Sequence, residues 1–109
     1  MLSNITTSEV QRNKLMVLQV KINQLEQVNT LVDTGASCNF ILKTIVEQLE
    51  AVVKLVVQPC HIALKLADGQ IICTIGIVKV TVTLEDTRIP VQMFVLDEIA
   101  YPVILGCEF

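Results

Sequence analysis

The chain has 109 residues, enough for one domain with one hydrophobic core. Its net charge is −3, and its eight Lys and Arg are scattered from Arg12 to Arg88. With no basic stripe and few aromatics to stack bases, nucleic acid is not expected as a direct ligand. Hydrophobic residues make up 52% of the chain, yet no apolar run reaches the length of a membrane span. The polar start Met1–Lys14 is not a signal peptide, so the expectation is a soluble, intracellular protein with no membrane partner.

Only four residues are aromatic (Phe40, Phe94, Tyr101 and Phe109), so the apolar content is mostly Val, Ile and Leu. That composition favours β-structure, and so much aliphatic surface on a small domain suggests burial against a second chain. Residues 1–13 are polar and predict a flexible N-terminal arm ahead of a domain over 14–109. Leu15–Ile22 begins as a continuous apolar run and then alternates, as a strand does. Asn23-Gln24 breaks it, and Leu25–Val32 resumes, giving a hairpin that delivers Asp33 at its far end.

Phe40–Leu42 reads as a short buried strand. Thr44–Val52 carries apolar residues at 45, 46, 49 and 52, a helical spacing, with a Thr44–Glu47 capping-box pattern at its start. Pro59 marks a boundary. His61–Leu66 and Gln70–Ile75 flank Ala67-Asp68-Gly69, a strong hairpin-turn signal with a projecting, mobile tip. Ile77–Leu84, a turn at Glu85–Arg88, Ile89–Leu96 interrupted by Pro90, and Val103–Leu105 ending in Gly106 complete an all-β pattern with one helix. The inward phase of these elements predicts a core of Val32, Phe40, Ile41, Ile45, Leu49, Ile75, Val80, Val82, Phe94, Val95, Ile104 and Leu105.

The residues that carry chemistry are Asp33-Thr34-Gly35-Ala36-Ser37. A carboxylate that follows Leu31-Val32 is drawn toward the interior, where an unpaired charge is costly unless it is used. Thr34 and Gly35 suggest a hydrogen-bonded loop holding an acid/base Asp. The tripeptide alone is weak, since Asp-Ser/Thr-Gly arises by chance in roughly one chain in twenty of this length. An ordinary strand-end turn has the same composition.

Cys38, Cys60, Cys73 and Cys107 lack the close-paired spacing of a zinc site and read as buried, reduced thiols. Cys38, five residues after Asp33, falls near the loop and is open to oxidation there. His61 has no evident Cys or Asp partner, so neither a metal nor another cofactor is expected.

Taken together, Lys14–Phe109 resembles the retropepsins, the aspartic proteases of retroviruses and LTR retrotransposons. The hairpin Leu15–Val32 is similar to the one that precedes that family's Asp-Thr-Gly, and Ala67-Asp68-Gly69 is placed like its flap. Val103-Ile104-Leu105-Gly106 resembles its second signature, and Tyr101–Phe109 is more similar to gypsy-type retroelements than to retroviruses proper. The resemblance implies a small closed β-barrel with one short helix and an active site at a homodimer interface. Asp33 would be the catalytic residue, supported by Thr34, Gly35 and Ala36. Ala67, Asp68, Gly69, Val32, Ile72, Ile75 and Ile104 would bind an extended peptide of a polyprotein. The setting implied is the cytoplasm or a virus-like particle.

Two features depart from that pattern. Ser37 and Cys107 stand where many relatives carry a paired Asp and Arg. The chain also stops three residues after Gly106, ahead of the helix and strand that usually knit the dimer. The expectation is either a trimmed C-terminus or a dimer built differently, with the arm Met1–Lys14. The alternatives are a catalytically weak or inactive dimerisation or peptide-binding domain, domesticated or of the ubiquitin-shuttle type, and a plain β-barrel with a coincidental Asp-Thr-Gly.

Overall fold

A computed structural model describes residues 15–65 and 69–106. The chain enters as a hairpin of β1 (Leu15–Ile22) and β2 (Leu25–Asp33), paired from Leu15↔Asp33 to Ile22↔Leu25. Asn23 takes a left-handed backbone in the two-residue turn, as Asn readily does. Its side-chain Oδ1 accepts from the Thr81 N–H at 2.7 Å, which fixes the turn against a distant strand. The register slips between Val20 and Ile22, and Gln27 adopts φ 57° on the opposite strand, the signature of a bulge that bends β2.

After a loop come β3 (Phe40–Leu42) and α1 (Lys43–Glu50). β4 (Val57–Pro59), β5 (Ala63–Lys65) and β6 (Ile71–Cys73) follow, then the long strands β7 (Gly76–Leu84) and β8 (Thr87–Leu96), and finally β9 (Val103–Leu105). Six of these strands close a barrel in the order β1-β2-β9-β3-β8-β7, shut by β7 pairing back onto β1. β4 takes the remaining edge of β7 at Val78–Gly76. Gly76 permits that approach, because a Cβ there would lie 2.9 Å from Val57 Cγ1 and 3.0 Å from the Gln58 carbonyl. β5 and β6 form a separate two-stranded hairpin.

The barrel interior is aliphatic. Val20, Ile22, Val28, Ile41, Val78, Val80, Val82, Val91, Met93, Val95, Val103 and Leu105 are buried, with Val46 and Leu49 of α1 plugged against them. Strict alternation along β7 puts Val78, Val80 and Val82 inward, and β8 does the same with Val91, Met93 and Val95. Pro90 is tolerated because β3 covers only the far end of β8, Phe94–Leu96, leaving the outer edge at Pro90 unpaired by β3.

The all-β barrel with one short helix is as the sequence implies. Several local expectations need correction. α1 starts one residue earlier and stops two residues sooner than the periodicity predicts, and the Thr44–Glu47 box does not form. β3 runs straight into the helix, so the N-cap falls on Leu42 with no side-chain cap and Thr44 sits inside the first turn. Pro59 closes β4 rather than standing outside it. The flap hairpin is only three residues deep on each strand, and the β7–β8 turn narrows to Glu85-Asp86 because Leu84 already pairs with Thr87. Of the predicted core, Val32, Ile45, Ile75, Phe94 and Ile104 are half-buried; the other seven are buried. The arm over 1–13, Ala67, Asp68 and Cys107 lie outside the described residues.

Candidate active site

The ends of β2 and β9 build the site. These two strands run parallel, with Thr30↔Val103, Leu31↔Ile104 and Val32↔Leu105 in register, and β9 pairs antiparallel to β3 on its other side. The chain leaving β2 at Asp33 must therefore loop over the end of β9 to reach β3 at Phe40. That crossing makes the loop backbone and Gly106 share one small space.

Within the loop, Asp33 holds its own turn. Its Oδ1 accepts the Gly35 N–H at 2.9 Å, and its carbonyl accepts the Ala36 N–H at 3.0 Å. Both bonds are local, an Asx-turn superimposed on a β-turn, and they leave the second carboxylate oxygen free of any bond within this pair. Asp33 is half-buried, Thr34 and Gly35 are exposed, and Asp33 makes no ion pair among the described residues.

Gly106 locks the loop from below. A Cβ at this position would lie 2.7 Å from the Ala36 carbonyl oxygen and closer still to that of Cys38, so only a residue without a side chain fits. Its N–H donates to Asn39 Oδ1 at 2.8 Å. Asn39 is 5% exposed and ties the loop in three directions. Besides accepting from Gly106, its Nδ2 donates to the Gln92 carbonyl at 3.4 Å, and its own carbonyl accepts from the Phe94 N–H at 2.9 Å. Sequence reasoning missed Asn39. Its only signal was a polar residue directly before a buried strand.

Facing the loop is the β5–β6 hairpin. Between them lies a cleft of about 330 Å³ lined by Gly35, Ala36, Ser37, Cys38, Phe40, Leu64 and Lys65. Of the expected site residues, Gly35 and Ala36 thus line it, and Asp33 and Thr34, which precede them in the loop, do not. Val32 and Ile104 are half-buried in adjacent strands, Ile72 is half-buried opposite Leu64, and Ile75 packs against the barrel core. None of these four lines the cleft of the single chain. Gly69 is exposed with φ +89°, and Ala67 and Asp68 lie outside the described residues. Leu64, Lys65 and Phe40 were not anticipated as cleft residues.

No cluster of His, Cys, Asp or Glu suited to a metal ion occurs among the described residues. Cys38, Cys60 and Cys73 are free thiols, and Cys38 is half-buried in the cleft wall with its Sγ 3.8 Å from Ser37 Oγ. The chain therefore offers one carboxylate, held by its own turn, in the loop whose following residues line the cleft.

The family model for the PEG10/RTL1 protease domain matches residues 29–109, which takes in the loop, the flap hairpin and β9. The chain belongs to the PEG10/RTL1 protease domain family. It is a retropepsin-like, retroelement-derived protease domain, as the paired signatures at Asp33 and Val103–Gly106 imply. Among solved structures, this PEG10/RTL1-type domain is similar to the EIAV protease complexed with the inhibitor HBY-793, with a TM-score of 0.66 and 21% identity. That match covers 94% of this chain and 89% of the viral one, and at such identity it speaks to the fold. No curated protein matches the domain. No helix among its described residues is long and apolar enough to cross a membrane.

Proposed function

We propose that the domain is an aspartic endopeptidase that works as a homodimer and cleaves peptide bonds of a polyprotein. The observation that carries this reading is Asp33: a half-buried carboxylate with one oxygen held by the Gly35 N–H, in a loop clamped by Gly106 and Asn39. A preorganised carboxylate of this kind suits acid/base work.

One carboxylate cannot both take a proton from water and give one to the scissile carbonyl in the same step. A second copy related by a two-fold axis supplies the other Asp33 without lengthening the chain. The two carboxylates then share a proton: one acts as base on the attacking water while the other protonates the carbonyl oxygen. On collapse of the tetrahedral diol, the carboxyl that took the water's proton gives it to the amide nitrogen, the C–N bond breaks and the amine leaves. The other carboxylate takes back a hydroxyl proton and restores the shared proton. Thr34 supports the loop across the dimer axis, and Gly35 and Ala36 let its backbone approach the substrate chain.

The end of the barrel that carries Asp33 also carries exposed apolar surface. Leu15, Met16 and Val17 are 66%, 53% and 51% exposed, and Leu15 pairs directly with Asp33 in the β1–β2 register. This end of the hairpin is the contact we assign to the partner. The β5–β6 flap lies over an extended peptide, and Val32, Ile72, Ile75 and Ile104 favour apolar residues beside the scissile bond. The cytoplasm or a virus-like particle is the corresponding compartment.

Peptide cleavage by wild type and by Asp33→Asn, with and without pepstatin, tests the reading. Cleavage that is lost in Asp33→Asn and blocked by pepstatin supports it. A wild-type dimer that binds peptide and never cuts it marks a peptide-binding module instead.

A further inference from the structure

Among the described residues, Lys65 is the only charged one lining the cleft between the Asp33 loop and the flap hairpin. It ends β5, opposite Ile71, and makes no ion pair among the described residues. The other described lining residues are Gly35, Ala36, Ser37, Cys38, Phe40 and Leu64, all without charge. Lys65 is exposed, so water solvates its ammonium group in the free chain, and a peptide filling the cleft displaces part of that water. We propose that Lys65 makes this domain selective for peptides carrying a Glu or Asp side chain a short distance from the apolar pair at the scissile bond. This inference rests on the cleft holding an extended peptide in a homodimer.

Three consequences follow from the physics. A partly desolvated opposite charge is favoured over its neutral isostere by about three- to tenfold in affinity, and a like charge is disfavoured. A two-fold dimer presents Lys65 twice, so the preference falls at positions related by symmetry about the scissile bond rather than on one side only. The effect also fades in acid. A peptide Glu becomes neutral as the pH falls through about 4.3, which removes the charge that Lys65 attracts. A hydrogen bond to a neutral side chain would not show this pH dependence.

The test uses short peptides with a central apolar pair, scanned with Glu, Gln or Lys at each flanking position. Binding is read by fluorescence anisotropy on Asp33→Asn, which cannot consume the probe, and cleavage is read separately on wild type. The expected result is tighter binding of Glu than Gln peptides at symmetric positions at about pH 6, with the difference shrinking near pH 4. Lys65→Gln removes the Glu/Gln difference and Lys65→Glu shifts the preference to the Lys peptides. Equal binding of Glu and Gln peptides to the Asp33→Asn protein overturns the inference, as does an unchanged preference in Lys65→Gln or a failure of every peptide to bind. Glu-selective binding without wild-type cleavage would leave the inference standing and remove the proteolytic reading.

Discussion

The N–H of Gly106, one residue past β9, donates to the side-chain oxygen of Asn39, one residue before β3. This single bond ties the second signature of the chain to the loop that begins at Asp33. It also fixes the direction in which the loop leaves β2, since Asn39 is held at the same time by Gln92 and Phe94 on β8.

Replacing Asn39 by Ala leaves the buried Gly106 N–H without its acceptor. The cost expected is about 1–3 kcal/mol, the penalty for an unsatisfied buried donor. Urea unfolding of the two proteins measures it, and a difference below a few tenths of a kcal/mol would remove Asn39 from the clamp.

Gly106→Ala acts through sterics. The new Cβ meets the Ala36 and Cys38 carbonyls, which are backbone atoms and cannot rotate away. Overpacking of this kind costs about 1–3 kcal/mol and pushes the loop outward. Amide chemical shifts at Gly35, Ala36 and Cys38 should move, while those of the β7–β8 turn stay in place.

The barrel core gives a larger effect. Ile41 is fully buried and sits between β8 and β9, so Ile41→Ala should cost about 2–5 kcal/mol from lost burial and an unfilled cavity. Ile71 is 65% exposed on the flap, and Ile71→Ala should change stability by less than about 0.5 kcal/mol. Thermal melts of both variants separate the two cases.

Self-association is read from the exposed end of β1. Leu15→Glu and Val17→Glu change side chains that the folded chain leaves in water, so the monomer should keep its stability. At a dimer contact, each buried unpaired carboxylate should weaken association by about tenfold or more. Sedimentation velocity over a dilution series checks this, and an unchanged dimer constant would place the interface elsewhere.

Much of the fold was legible in the sequence. The limits of β1, the two-residue turn at Asn23-Gln24 and the whole of β3 follow from alternation and turn chemistry, because one face of each strand is buried and the pattern is strict. The parts that were not legible depend on distant partners. Closure of the barrel through Lys21↔Thr83 and Ile22↔Val82 leaves no local trace. The Thr44–Glu47 pattern pointed to a cap that never forms, since the tight β3–α1 junction moves the helix start upstream. At the site, Asp33 and Gly106 announced themselves by motif. Asn39 and Lys65 did not, because an isolated Asn or Lys has no pattern until the fold sets Gly106 beside one and the cleft beside the other.

The central claim is that two Asp33 side chains, one from each copy, act as a unit. Mixing wild type with Asp33→Asn at fixed total concentration, with exchange complete, tests it most directly. If both carboxylates are required, activity follows the square of the wild-type fraction, so an equal mixture retains about one quarter of the initial rate. An equal mixture that retains half the rate, with linear dependence on the wild-type fraction, would mean that each copy works alone and would contradict the account.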